Sequence, residues 1–124
     1  MPSGQHNLKP PGTRMRNQLL RRYKESATER GLSFELTEEE FFILTQGSCY
    51  YCGIEPQQVY KGTKTGGDFI YNGIDRIDNA IGYKLDNCVS CCGTCNIAKR
   101  SMTQQQFINW ISRTYNNLKE RNIL

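Results

Sequence analysis

Two cysteine pairs constrain this chain more than any other feature. "CYYCG" at 49–53 sets Cys49 and Cys52 around a two-residue step ahead of Gly53, the shape of a tight knuckle whose sulfurs converge on one ion. "CCGTCN" at 91–96 repeats the spacing with Cys92 and Cys95, where a helix is expected to open and where first-turn amides and the helix dipole favour thiolates. The four together make a tetrahedral four-cysteine site, and zinc is the default ion for thiolates so spaced. Cys88 and Cys91 offer a competing pair. Cys92 and Cys95 are preferred because they sit at the expected helix start, which leaves Cys88 and Cys91 as small apolar residues at the end of a strand. Four sulfurs leave no open position for water, so this ion is structural, and Lys99 and Arg100 nearby are expected to offset its formal charge.

At 124 residues the chain is about one domain, with a small core that a metal staple would help. It shows no signal-peptide pattern and no apolar run near the ~18 residues of a membrane helix. The expectation is a cytoplasmic, intracellular protein with no membrane association. Thiols stay reduced in that compartment, so six cysteines favour metal over disulfides. The net charge is +4, and its placement is uneven: residues 1–30 carry seven basic and two acidic side chains, a net +5, while the remainder nets −1. A basic arm or helix on a near-neutral body is an electrostatic footprint for nucleic acid, or else simply a solvated helix face.

Residues 1–12, rich in proline, glycine and polar side chains, are expected to be a disordered tail, followed by one domain over 13–124. Within it, 13–47 form basic and capping helices, 48–102 the metal-stapled core, and 103–124 a C-terminal helix. Met15, Leu19, Tyr23 and Ala27 recur every four residues and predict a helix over about 13–30, ended by Gly31, with Arg14, Arg21 and Lys24 on its other side. Thr37 and Glu40 fit a capping box before Phe41, Phe42 and Leu44, and Thr103 and Gln106 fit another. After the second box Phe107, Trp110, Ile111, Tyr115 and Leu118 form a stripe most simply read as core. Residues 56–78 alternate β-favouring side chains with glycine-rich turns and predict irregular hairpins, whose loop carries Lys61 and Lys64, solubilising or phosphate-facing.

"CYYCG", "GIDRIDNAIGYKLDN" and "CCGTCNIAK" in that order resemble the zinc-containing HNH endonucleases, over about residues 45–105. The resemblance implies an α+β fold: a ββα-metal core of hairpin and helix stapled by a four-cysteine zinc site, flanked by N- and C-terminal helices. It implies a phage or mobile-element type of protein. Asp75 then corresponds to a ligand of a catalytic divalent ion, Asn87 to the asparagine bracing the inter-strand loop, Asn96 to the second metal ligand, and Lys99 to a helix lysine facing phosphate. Mg²⁺ or Mn²⁺ would suit carboxylate and amide oxygens. Arg76 departs from the pattern, since it stands where the family places its histidine base and a guanidinium accepts no proton. On an extended strand Arg76 and Asp78 would share a face, making Asp78 a replacement base and Arg76 a phosphate ligand; ion-activated water is the other option.

Two functions follow. One is a metal-dependent HNH-type endonuclease acting on double-stranded DNA, with Asp75, Arg76, Asp78, Asn87 and Asn96 in the active site and Arg14, Arg21, Lys24, Lys61, Lys64, Lys99 and Arg100 on nucleic acid. The other is the same zinc fold without cleavage, binding nucleic acid or serving in an assembly. Convergence of Asp75, Asp78 and Asn96 on one ion-sized site separates them: without it, the binding module is favoured. A thiol redox role is disfavoured, because no thioredoxin-like βαβ layout surrounds either CxxC.

Overall fold

The computed structural model describes residues 10–62 and 66–124. Its elements are helices α1 (Thr13–Glu29), α2 (Glu38–Gln46), α3 (Gly93–Lys99) and α4 (Gln104–Glu120), and strands β1 (Gln58–Tyr60), β2 (Phe69–Tyr71), β3 (Gly73–Arg76) and β4 (Cys88–Cys91). The tail expected over 1–12 lies outside the described residues as far as residue 9, and Lys64 lies outside them too. The tail reading stops short of residues 10–12. Gly12 is buried, its N–H donates to the Gly66 carbonyl, and at φ 87° a Cβ would stand 2.7 Å from the Asp68 carbonyl oxygen. Only glycine fits there, and the contact fastens the start of α1 to the β1–β2 loop.

The four-residue spacing of α1 does bury one face: Met15, Leu19, Leu20 and Ala27 are inside. Leu32 N–H closes onto the Ala27 carbonyl, and Gly31 takes φ 69° to turn the chain. In α2 the capping box is complete, with Thr37 Oγ1 accepting from Glu40 N–H at 3.1 Å and Glu40 Oε1 from Thr37 N–H at 2.9 Å. Such a cap contributes about 1 kcal/mol and fixes where Phe41 enters the core.

Strands β1 and β2 pair antiparallel with Val59 opposite Ile70, and β3 and β4 with Asp75 opposite Val89 and Arg76 opposite Cys88. Helix α2 packs on the β3–β4 hairpin, while α1 runs against α2 and the β1–β2 hairpin and reaches β3 through Tyr23. Leu19, Leu20, Ala27, Leu36, Phe41, Ile74, Tyr83 and Cys88 form the main core, with Tyr23 edge-on to both Phe41 and Tyr83. Each fully buried large side chain contributes roughly 1.5–3 kcal/mol. A backbone bridge joins Phe34 to Tyr83, and Gly82 lies so close to the Ser33 backbone that no Cβ fits. That bridge holds the β3–β4 connection against the N-terminal helices.

The stripe on α4 is not core. Phe107 is buried, edge-on to Tyr51 at 4.9 Å, but Trp110, Ile111 and Tyr115 are 39–47% exposed. The helix leans on the cysteine knuckle through its first turn and projects beyond it, so periodicity identifies an amphipathic helix without identifying a partner for its face. Among the described residues, no helix is long and apolar enough to cross a membrane.

Candidate functional site

Two sites share the β3–β4–α3 unit. In the first, Gly53 at φ 79° closes the knuckle: its N–H donates to the Cys49 carbonyl and Cys49 N–H to the Ile54 carbonyl, both at 2.9 Å. Cys92 is the N-cap of α3, its Sγ accepting from Cys95 N–H at 3.4 Å. The Sγ atoms of Cys49, Cys52, Cys92 and Cys95 all lie within 4.8 Å of one another, and those of Cys52 and Cys92 are 3.7 Å apart. Four sulfurs at the ~2.3 Å zinc–sulfur distance stand about 3.8 Å apart, so the set fits a tetrahedral ion. Burial raises the Cys49 thiol, but amide donors from Cys52, Cys92 and Tyr51 outweigh it and bring its pKa to about 6. Burial, with the Cys92 and Cys52 sulfurs, pushes Cys95 the other way. A divalent cation would take the place of the protons that these crowded sulfurs share. Cys88 and Cys91 are buried on β4 and stand outside the cluster, and Cys91 Sγ turns to the Cys92 carbonyl at 3.5 Å.

The second site is a cleft of about 370 Å³ between α1, β3 and the end of α3. Asp75, Arg76, Asn79, Asn96 and Arg100 border it, with Arg30 on the α1 side. Asp75, the third residue of β3, is 6% exposed. Its Oδ1 accepts from Lys99 Nζ at 3.1 Å, and its Oδ2 from the Tyr51 hydroxyl at 2.8 Å. Burial above all, and then Asp75, holds that phenol protonated by raising its pKa well beyond the ordinary value. Lys99 is fully buried and also donates to the Arg76 carbonyl at 3.3 Å. Expected to face phosphate, Lys99 instead has its ammonium spent on Asp75 beneath the cleft floor.

Arg76 folds back along the turn that follows β3. Its Nη1 donates to the Asn79 and Ile81 carbonyls at 2.5 and 2.9 Å, with the guanidinium 5.5 Å from the Tyr83 ring centre. Its other nitrogens make no hydrogen bond among the described residues, so the group can clamp the turn and still face an anion. Arg100, exposed, follows α3 at φ 49°, ψ −119°, and Asn79 Nδ2 donates to the Ser101 carbonyl at 2.8 Å just beyond it. Arg30 Nη2 donates to the Tyr83 hydroxyl at 2.9 Å.

Asp78 does not join them. β3 ends at Arg76, and Asp78 lies in a turn where its Oδ1 accepts from Ala80 N–H at 2.9 Å. The shared face of Arg76 and Asp78 expected of an extended strand is therefore absent, and Asp78 does not border the cleft. Asn87 holds that turn: Oδ1 accepts from Asp78 N–H at 2.9 Å, and Nδ2 donates to the Asp78, Ile81 and Gly82 carbonyls at 3.0–3.2 Å.

Among the surface cations, Arg21 and Lys24 sit among Glu25 and Glu29 on the far side of α1, Arg14 is exposed near its start, and Lys61 is exposed beside Asp68. None borders the cleft. Arg30 and Asn79 do, and the sequence pattern does not single them out. Arg22, Ser26 and Arg30 fall at four-residue steps on α1, and that periodicity is the available signal.

A hard divalent ion does not fit the cleft as it stands. Such ions favour several oxygen ligands with net negative charge. Here the single carboxylate is paired with a buried ammonium, Asn96 adds a neutral amide, and Arg30, Arg76 and Arg100 surround them. Among the described residues, the four cysteines are the only group of cysteine, histidine or carboxylate side chains with metal-ligand spacing.

No protein-family profile matches the chain. An uncharacterized protein of Acanthamoeba polyphaga mimivirus is 38% identical over 123 aligned residues, covering 81% of this chain; the chain spans about a fifth (21%) of that relative's length. Among solved structures, the rare-cutting HNH restriction endonuclease PacI superposes with a TM-score of 0.59 at 19% identity, over 86% of this chain and 81% of that one. The likeness shows the fold: mixed helix and small hairpins of the HNH type, with four cysteines placed to hold a metal.

Proposed function

We propose that this chain is a metal-stapled HNH-fold module that binds the phosphodiester backbone of double-stranded DNA in the cleft between α1, β3 and α3. The observation that supports it is the convergence of Arg30, Arg76 and Arg100, with Asn79 and Asn96, on one cleft whose single carboxylate is neutralised from below. Guanidinium forks and amide donors are the groups that recognise phosphate oxygens. The knuckle ion, zinc by its sulfur donors, would hold β4 and α3 in place and take no part in the chemistry.

Binding of this kind is dominated by counterion release. Fluorescence anisotropy with a labelled duplex, at salt from 50 to 300 mM on the order of the range where such binding collapses, should give log K falling against log salt with a slope of about −3 or steeper. Each of Arg30→Ala, Arg76→Ala and Arg100→Ala should flatten the slope by about 1. A slope near zero, or variants indistinguishable from wild type, would overturn the reading.

A second reading, metal-dependent cleavage of the bound strand, is favoured by one observation: Asp75 and Asn96 border the same cleft. It draws on the likeness to an endonuclease, and it requires Lys99 to give up Asp75. Supercoiled-plasmid nicking with Mg²⁺ or Mn²⁺, lost in Asp75→Ala and Asn96→Ala, would establish it; binding without nicking would leave the module.

A further inference from the structure

The cleft does not end at the arginines. Tyr23, Ser26 and Tyr83 border it and also border a second groove of about 370 Å³, which continues toward the β1–β2 hairpin and is walled by Tyr60, Tyr71, Leu19 and Arg22. Four tyrosines therefore line one passage that opens beside the phosphate cleft. Their hydroxyls divide them into two kinds. Tyr23 accepts from Ile74 N–H at 3.1 Å and Tyr83 from Arg30, so both are tied into the core. Tyr60 and Tyr71, paired edge to face at 6.4 Å on the outer hairpin, make no side-chain hydrogen bond among the described residues. Both are half-buried, and Phe69 stacks against the Tyr71 ring at 6.0 Å and 5°. The Tyr71 ring is backed by Phe69, and Arg22 on α1 supplies a cation at the same groove.

We infer that this groove holds an unpaired nucleobase of the DNA whose backbone phosphate sits between Arg30, Arg76 and Arg100, so that the favoured ligand is a duplex carrying an unpaired nucleotide. An aromatic wall beside a phosphate site is an arrangement by which proteins take up single bases, because every base has a π-face to stack and its sugar keeps it within reach of its own phosphate. The groove volume falls within the usual range of small-ligand sites. A base still in the helix is stacked on both sides and cannot enter, which is what makes pairing state the discriminating property. The inference rests on the phosphate reading of the cleft.

The experiment compares two labelled duplexes of equal length, one fully paired and one with a single-nucleotide bulge, by anisotropy at one salt concentration. The metal-loaded full chain should bind the bulged duplex about tenfold more tightly. Tyr60→Ala and Tyr71→Ala should remove most of that preference while leaving affinity for the paired duplex within about twofold; Tyr60→Phe and Tyr71→Phe, which keep the ring, should retain it. Equal binding of both duplexes by wild type overturns the inference and leaves the phosphate cleft standing, whereas no binding of either overturns both. Preference that survives both alanine variants, or is lost in the phenylalanine variants, also rejects stacking in this groove. Thermal melts of each variant confirm that folded protein is being compared.

Discussion

Lys99 Nζ lies 3.1 Å from Asp75 Oδ1 with 0% and 7% of the two side chains exposed, so an ion pair is sealed under the cleft. Removing one partner of a buried pair leaves the other charge without compensation, which costs about 3–5 kcal/mol, while replacing both by apolar residues is far milder. Lys99→Met should therefore destabilise the fold by that amount in urea unfolding. The double variant Lys99→Met with Asp75→Leu should recover at least half, the remaining loss arising from the Tyr51 hydroxyl, which would lose its acceptor. Additive losses in this cycle would show that the two side chains do not interact.

The sulfur cluster makes a contrast among six cysteines. Cys52→Ser should abolish stoichiometric metal binding and cooperative folding together, since a structural zinc site contributes folding free energy directly. Cys88→Ala should keep one metal per chain, because its thiol is a core side chain on β4. Elemental analysis beside a thermal melt checks both, and a metal-free Cys88→Ala would move the site to the other pair. Chelator treatment of wild type should mimic Cys52→Ser.

Tyr23 makes stability depend on alkali. Burial raises its phenol well above the ordinary value, with the Ile74 N–H opposing only in part. Between the ordinary pKa of about 10 and the raised one, the folded chain keeps a proton that the unfolded chain gives up, so stability is intact below about pH 10 and falls as pH rises further. Tyr23→Phe should start less stable, having left Ile74 N–H without its acceptor, but lose stability more gently above pH 10. Urea midpoints from pH 8 to 10.5, on the order of half a unit past the phenol's reference value, measure this; parallel alkaline limbs would rule it out.

How much of this is legible in sequence depends on the range of the interactions. The CxxC spacings, the capping boxes at Thr37 and Thr103 and the α1 stripe are set by neighbours within four residues, and each appears as expected. The preference for Cys92 and Cys95 over Cys88 and Cys91 rests on the helix start, which is again local. Lys99 departs from its expected role because only the tertiary fold brings its ammonium to Asp75, 24 residues away. Asp78 departs from its own because Asn87 bends the chain out of strand geometry through four hydrogen bonds, and alternation alone does not report where a strand ends. The α4 face reads as core because an amphipathic pattern records polarity and says nothing of what lies opposite.

Arg100 carries the last prediction, in its backbone. A non-glycine residue at φ 49°, ψ −119° occupies a sparsely populated region at a cost of about 1–3 kcal/mol. Glycine would relieve that strain and give back only about 0.4–1 kcal/mol through a looser unfolded chain. Arg100→Gly should thus stabilise the fold by about 1 kcal/mol, whereas Arg100→Ala keeps the strain and should not. Both lose the guanidinium at the cleft and should lose DNA affinity equally. Stability gained only by glycine, with affinity lost in both, would mean that strain is retained to aim a cation at phosphate; an unchanged melting temperature in Arg100→Gly would show that the backbone there is relaxed.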